Sequence, residues 1–345
     1  MAKMHDDLNA AKRNPKDEFY TTRKMIEDEL CEYGEYFKDK VVYCNCDDPE
    51  ESEFWKFFVR NFKAYGIKKL MATHYEPDEK NYAYMLELTE DTNGDGRIDY
   101  LDEPTITQIP CNGDFRSAYC IELLKQADIV VTNPPFSLWR EYIAQLMKYE
   151  KKFIIVGNVN AVKYKDVFPL IQENKLWMGH SIHSGDRKFY IPDDYPMKAS
   201  GCGIDDEGRR FIRVKGVRWF TNLDIPQRHQ PLDIRGNYYD PEIYPHYDNY
   251  DAIEVSKTSD IPCDYDGIMG VPITFLDKYC PDQFEIIGMT DRQNTSGVRS
   301  KKYTEDDTER FNDLNASAVL KNKDGSYKSL YTRFLIKRKA VPDED

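Results

Sequence analysis

Residues 127–137 read ADIVVTNPPFS, and this stretch restricts the fold more than any other. A strongly apolar strand runs straight into Asn133-Pro134-Pro135-Phe136. Two consecutive prolines stop it there, because each locks φ, lacks an N–H and keeps the preceding residue extended. In an open α/β sheet, ligands bind outside the carboxyl ends of the strands, so this corner belongs at the mouth of a site. The plain alternative is a rigid turn that merely ends a strand.

The flanking sequence supplies the rest of such a sheet. Three- and four-residue spacing of Met25, Ile26, Leu30, Tyr33 and Phe37 predicts a helix over 21–38. Val41 to Cys46 reads as a buried strand, ended by Asp47-Asp48-Pro49. Ser52 reads as the cap of a helix striped by Phe54, Trp55, Phe58 and Phe62. Gly66 closes that helix, and Lys68 to Thr73 is the next strand. Tyr82 to Glu90 and Thr105 to Pro110 form a hairpin around an acidic tip. Strand 128–132, helix 137–150, strand 153–157 and helix 164–174 follow. Strands alternating with helices imply an α/β fold with a mostly parallel sheet and helices on both faces. Beyond about residue 176 this regularity gives way to Gly, Pro, Asp and Tyr with short alternating strands, as in 211–220. We therefore expect a boundary near 176–180, separating residues 1–178, which begin with a polar arm, from a mixed α+β region at 179–345.

At 345 residues, two domains are expected. The 40% of hydrophobic residues suffices for a sizeable core. No apolar run approaches the ~18 residues that span a bilayer. The N-terminus has no apolar signal segment, so a cytoplasmic protein is expected. The eight cysteines are scattered and read as free thiols. Cys44 and Cys46 have no second Cys or His pair, and no metal is expected. The net charge of −13 argues by itself against a nucleic-acid partner. Yet Arg209 to Arg218 carries five basic residues and no acid, 296–302 and 333–339 are similar, and the acids gather at 47–53 and 91–103. A globally acidic protein can still present a basic face. The 25 tyrosines suit wet interfaces and base stacking, although ordinary core and rim placement explains most of them. Asp91 to Asp102 nearly fits a calcium loop, but Asp102 stands where a bidentate Glu is usual and the flanks read as strands. An acidic hairpin turn is the better reading.

The Asn-Pro-Pro-aromatic corner has a specific chemical use. An exocyclic amine conjugated to a ring is a poor nucleophile. The Asn133 side-chain oxygen and the Pro134 carbonyl can each accept one of its N–H bonds, stabilising the positive charge that grows on nitrogen as it attacks. No strong base is required, since the alkylated ammonium sheds a proton readily. Pro135 stiffens the carbonyl, and Phe136 offers a flat face on which a flipped base stacks.

An NPPF corner after an apolar strand resembles the catalytic motif of S-adenosylmethionine-dependent amino-methyltransferases acting on adenine in DNA. The chain more widely resembles the EcoRI-type adenine-specific DNA methyltransferase family. The likeness rests on DEFYT (17–21), KVVYCNCDDPEESEFWKFFVRNF (40–62), GIKKLMATHY (66–75), NGDFRS (112–117), ADIVVTNPPFSLWREY (127–142) and KKFIIVGN (151–158). RWFTNLD (218–224), YDNYDAIEV (247–255) and GVPITFLDKY (270–279) extend it. The resemblance implies a Rossmann-like methyltransferase sheet, methylation of adenine at N6, S-adenosyl-L-methionine as cofactor and double-stranded DNA as partner. It places the chain in a restriction–modification system or as an orphan or phage methylase; no obligate protein partner is expected, and a cognate restriction endonuclease stays open.

It also implies site residues. Tyr20 and Thr21 would line the methionine end of the cofactor. Cys46, Asp47 or Asp48 would meet its ammonium group, and Thr73 and Tyr75 its ribose or adenine. Asp114 would bond the adenine amine while Phe115 packs on the ring, with Asn133 between cofactor and target. Asp48-Pro49 is equally an ordinary turn, and Phe115 an ordinary core residue. The turn after the first strand, Cys46 to Glu50, has no glycine, so side chains must make contacts that a Gly-rich turn leaves to backbone. For target recognition the candidates are Arg187, Arg209, Arg210, Arg213, Arg218, Arg228, Arg292, Asn294, Arg299, Lys301 and Lys302. They are weighed against simple solvated charge. Other readings stay open: a methyltransferase of RNA adenine or protein glutamine, or a DNA-binding relative that has lost catalysis.

Overall fold

The computed structural model describes residues 19–46, 48–76, 82–89, 91–94, 98, 102–193, 195–238, 242–292 and 297–339. The chain forms two compact units. The first takes residues up to Asn158 together with Met178–Leu223, and the second takes Val159–Trp177 and everything from Asp224. The chain thus passes between units at three places, and at the one between Trp177 and Met178 it returns to the first unit.

The first unit opens with β1 (Tyr20–Thr21). Thr22 caps α1 (Arg23–Leu30), its hydroxyl accepting from the Met25 N–H at 3.4 Å. The helix expected to reach residue 38 continues past Leu30 as a 3₁₀ segment, Cys31–Phe37. Both helix types bring positions three apart close together, which is why the apolar spacing persists across the change. β2 (Val41–Cys44) leads to Ser52, which caps α2 (Glu53–Asn61). That helix buries Phe54, Trp55, Phe57, Phe58 and Val59. β3 (Lys69–Thr73), β4 (Tyr84–Leu88) and β5 (Thr105–Gln108) follow, then α3 (Ala118–Gln126), capped by Ser117. β6 (Ile129–Thr132), α4 (Trp139–Lys148) and β7 (Lys152–Asn158) complete the expected alternation. In the second unit the chain forms α5 (Phe168–Gln172), far shorter than the helix expected over 164–174. Pro169 sits in its first turn, where a missing N–H is harmless, so the proline starts the helix instead of riding inside it. β8 (Trp177–Met178), β9 (Asp186–Tyr190), β10 (Cys202–Ile204), β11 (Arg210–Lys215) and β12 (Val217–Thr221) follow.

Eight strands make one sheet in the order β5-β4-β3-β2-β6-β7-β12-β8. Its centre, β3-β2-β6-β7, is parallel, with Val42 paired to both Leu70 and Ile129. β4, β5 and β12 are antiparallel additions. β6 and β12 are buried along their whole length. A second, antiparallel sheet, β1-β9-β11-β10, pairs Thr21 with Phe189 and Phe189 with Ile212. A buried carboxylate fastens the approach to it. Glu29 on α1 accepts from the backbone N–H groups of His180 and Ser181, the Ser181 hydroxyl and the Tyr33 hydroxyl, at 2.7–2.9 Å. Burial pushes the Glu29 carboxyl up in spite of these four donors.

The second unit holds β13 (Ile253–Glu254), β14 (Met269–Pro272), β15 (Phe284–Met289), α6 (Phe311–Leu314), β16 (Val319–Lys321), β17 (Tyr327–Ser329) and β18 (Arg333–Arg338). Its main sheet runs β13-β14-β18-β15. α5 belongs to this core: Phe168 stacks on Phe334 at 5.8 Å, and Gln172 donates to the carbonyls of Ile286 and Ile287. Arg333 and the buried Glu254 pair at 2.8 Å. Among the described residues no helix is long and apolar enough to cross a membrane.

Candidate active site

Strand order reverses between β2 and β6. β2 is followed outward by β3 on one side, and β6 by β7 on the other. Such a reversal opens a crevice at the carboxyl ends of the two strands, where open α/β sheets take their ligands. Asn45 and Cys46 leave β2 at that point and Asn133 leaves β6. The two turns are joined: the Cys46 N–H donates to the Thr132 hydroxyl at 3.2 Å, and the Tyr142 hydroxyl of α4 donates to Asn45 Oδ1 at 2.5 Å.

Asn133 is 6% exposed. Its Nδ2 donates to the Phe19 carbonyl at 2.6 Å. That bond fixes the amide with nitrogen toward Phe19, the orientation that an acceptor role for Oδ1 requires. Pro134 is buried, while Pro135 and Phe136 are half-buried. The Leu138 N–H donates to the Pro135 carbonyl, turning the corner into a 3₁₀ segment that leads to α4. The Phe136 ring lies 5.8 Å from Phe19 and 6.3 Å, edge-on, from Phe189. Phe19 also meets Phe189 and Tyr195, at 6.1 and 5.9 Å. The Asn-Pro-Pro-Phe corner is therefore walled by aromatic rings from the segment before β1 and from β9.

Thr21 is 2% exposed, and its hydroxyl has no hydrogen-bond partner among the described residues. A buried, unsatisfied hydroxyl is costly unless something else supplies its partner. Tyr20, half-buried, pairs across to Tyr190. Asp48 sits in a cluster with His74 (Oδ2 to Nδ1, 3.2 Å), the Glu50 N–H and the Tyr84 hydroxyl. Burial pushes the Asp48 carboxyl up, but the His74 bond and charge and the Glu50 N–H outweigh it and hold it below the usual carboxylate range. The Asp48 bond in turn holds the His74 imidazole above its ordinary value. His74 stacks on Tyr84 at 4.8 Å and lies 3.7 Å from Glu76. Thr73 is buried and shares a hydrogen bond with the Tyr43 hydroxyl at 3.1 Å, so it braces the sheet. Tyr75 is exposed. Asp47 lies outside the described residues.

The loop before α3 is pressed against residues 74–76. The Glu76 N–H donates to the Asn112 carbonyl at 2.9 Å. Gly113 has φ +80°, and a Cβ there would lie 2.0 Å from the His74 carbonyl oxygen. This closeness delivers Asp114 and Phe115 beside the end of β3. The Asp114 carboxylate accepts from the Arg116 backbone N–H and from its guanidinium, at 2.6–3.3 Å, which holds its pKa down. Arg116 reaches Glu141 on α4 at 3.2 Å as well. Phe115 is buried, edge-on to Tyr142 at 5.0 Å.

Within the first unit, the candidate DNA-contacting residues on the second sheet divide between its two faces. Side chains alternate along a strand, so Arg187 shares the Phe189 face of β9, and register puts Arg210 on the same face of β11. Arg209 and Arg213 fall on the other side, with Lys188, Tyr190 and Phe211. There Asp205 pairs with Lys188 and Arg209, and Asp186 with Arg213. Arg218 is 3% exposed and donates to the carbonyls of Val217 and His183, which makes it an internal brace and not a phosphate contact. In the second unit, Arg228 stacks on Trp177 at 3.7 Å and bonds Asp224 and Asn174. Arg292 donates to the Asn312 carbonyl. Arg299 donates to Tyr250 and the Asn315 carbonyl, and Lys301 pairs with Asp248. Lys302 is exposed. Asn294 lies outside the described residues, as do Asp95 and Gly96 of the calcium-like loop. Asp102 spends one oxygen on the Thr92 and Asn93 N–H groups and the Thr92 hydroxyl.

The span 73–75 expected from sequence contains His74 without singling it out, and Arg116, Glu141, Phe189 and Tyr195 were not expected at all. Arg116 was in view, two residues past Asp114. Phe189 was signalled only by its place between the polar Lys188 and Tyr190.

Comparison with known proteins gives the family of the chain. The chain is 47% identical over 289 residues to the Type II methyltransferase M.EcoRI of Escherichia coli, covering 81% of this chain and 88% of that protein. It is 40% identical over 285 residues to the Type II methyltransferase M.MpnI of Mycoplasma pneumoniae, covering 81% and 84%. No solved structure gave a significant match. The family model described as adenine-specific methyltransferase EcoRI matches residues 7–339, so this chain belongs to the EcoRI family of adenine-specific methyltransferases.

Proposed function

We propose that this protein methylates the exocyclic N6 amine of an adenine turned out of duplex DNA, with S-adenosylmethionine as methyl donor. Membership of the family makes it an adenine-specific DNA methyltransferase of restriction–modification type. Its sheet reads as Rossmann-like, with the reversal between β2 and β6 as the ligand crevice. The observation that carries the reading is Asn133, held at the end of β6 by the Phe19 carbonyl with its amide oriented as an acceptor.

The residues around the crevice fit the donor. Thr21 offers a buried hydroxyl in need of a partner, Asp48 a carboxylate kept ionised, and Asp114 with Phe115 an acceptor beside an aromatic ring. When bound, S-adenosylmethionine supplies a methyl group made electrophilic by its sulfonium. Asn133 and the Pro134 carbonyl accept the two N–H bonds of the target amine and steady its developing positive charge. After the methyl has moved, one amine proton leaves to solvent. Phe136 supports the extruded base by stacking, a contact worth about 1–3 kcal/mol per base. Arg187 and Arg210 share a face with Phe189, and we assign them to the phosphates flanking the target. The second unit, with Lys302 among its exposed cations, is assigned to the surrounding sequence. A cognate endonuclease cutting the same sequence is the candidate partner, and the cytoplasm is the expected place of action.

The test is a methylation assay with radiolabelled donor, offering duplex DNA, RNA and protein, followed by modification-sensitive sequencing of DNA from expressing cells. N6-methyladenine at a fixed sequence is expected. A folded protein that binds donor yet labels only RNA or protein would refute the substrate, and one that binds no donor at millimolar concentration would refute the enzyme.

A further inference from the structure

Arg116 makes two contacts that the adenine of the cofactor would also need. Its guanidinium grips the Asp114 carboxylate in a fork, with Nε and Nη2 on the two oxygens, and stands over the Phe115 ring at 5.5 Å from its centroid. An adenine held by this loop would give its amine hydrogen to Asp114 and lay its ring on Phe115. We infer that Arg116 competes with the cofactor's adenine for these two groups and so sets cofactor affinity. This rests on the reading of Asp114 and Phe115 given above.

The arrangement has the features of a competitor and not of a simple brace. The Arg116 side chain is about half exposed, at 49%, so it can swing away without leaving a cavity. It has a second anchor to go to: Glu141 on α4, already 3.2 Å from Nη1 and itself exposed. The fork–carboxylate bond is a charge-assisted pair in partial contact with water, strong enough to persist and weak enough to yield. The Asp114 backbone is held independently. Its N–H donates to Asn112 Oδ1, the Ser117 N–H donates to its carbonyl, and Gly113 is pinned against His74. Removing the Arg116 side chain therefore leaves Asp114 in place and exposes it to the ligand.

Salt separates competition from support. A half-exposed ion pair weakens as ionic strength rises. Adenosine is neutral, so its own contacts are nearly indifferent to salt. If Arg116 competes, adenosine binds the native chain more tightly in 1 M than in 0.05 M sodium chloride, and the dependence vanishes when Arg116 is removed.

The experiment is calorimetric titration of the full-length native protein, Arg116→Ala and Arg116→Lys with adenosine and with S-adenosylmethionine at both salt concentrations. Expected are a three- to tenfold tighter Kd for both ligands in Arg116→Ala at low salt, an intermediate value in Arg116→Lys, which keeps the charge without the fork, and, for the neutral adenosine, a salt effect confined to the native chain and the lysine variant. Circular dichroism checks that the variants fold. Unchanged or weaker binding in both folded variants overturns the inference while leaving the cofactor site standing. A native chain that binds neither ligand overturns the inference and the reading of the site together.

Discussion

Replacing Gly113 with alanine tests whether the loop that presents Asp114 is held by backbone contact. Two separate penalties are expected. The residue has φ +80°, a conformation that costs an L-residue about 1–2 kcal/mol relative to glycine. The added methyl would also lie 2.0 Å from the His74 carbonyl oxygen, and that neighbour is backbone, anchored at the end of β3. The loop must therefore lift, breaking the bond from the Glu76 N–H to the Asn112 carbonyl, worth about 1 kcal/mol. Together these give a loss of about 2–3 kcal/mol, or roughly 4–12 °C in melting temperature for a unit of this size. Lifting the loop also withdraws Asp114 and Phe115, so donor affinity should fall at least tenfold. Asparagine separates the two penalties. It tolerates positive φ better than alanine but carries the same Cβ. If overlap dominates, Gly113→Asn is as damaged as Gly113→Ala. Thermal melting and calorimetry with S-adenosylmethionine report both effects. An alanine variant that melts within a degree of the native chain and binds donor normally would refute the reasoning.

Asn133→Ala should lower turnover about 10²–10³-fold, the range for loss of one charge-stabilising contact, with little change in DNA affinity; single-turnover kinetics beside a gel-shift titration would check it. Glu29→Ala leaves the His180 and Ser181 N–H groups and two hydroxyls without their acceptor, so at about 1–3 kcal/mol per buried orphan a loss of more than 3 kcal/mol is expected in urea melts. His74 faces Asp48, Glu76 and the Tyr84 ring, and its imidazole titrates above its ordinary value. A raised pKa means that its contribution is complete below the unfolded value of about 6.5 and is lost as pH rises through the folded one. Native stability should therefore decline on the alkaline side of about 6.5, and His74→Gln should flatten that decline.

The Asn-Pro-Pro-Phe turn was legible because its cause is local. Two prolines this soon after Ile129, Val130 and Val131 end a buried strand, and the structure ends β6 at Thr132. The α/β alternation was legible for the same reason, since periodicity and caps such as Ser52 act within a few residues. What escaped the sequence depends on distant pairing. Nothing near residue 189 says that its strand will lie against Thr21 and turn Phe189 toward Phe136. The arginines between 209 and 218 look like one basic patch only while the chain is unfolded. Strand alternation sends Arg210 and Arg213 to opposite faces, Asp186 and Asp205 neutralise part of the charge, and Arg218 is drawn into the core by backbone carbonyls. Thr73 ends the expected strand, but its hydroxyl turns inward to Tyr43.

The three crossings between units govern how hybrids of this enzyme with its relatives can be made. A single splice at residue 178 would exchange β9 to β12 along with the C-terminal unit, so the donor sequence would have to rebuild the last antiparallel strand against β7 and the pairing that sets Phe189 beside Thr21. Joints after Asn158, Trp177 and Leu223 follow the natural seams instead, moving a short cassette and a tail together while the host keeps every strand of its catalytic sheet from β2 to β7 and β12.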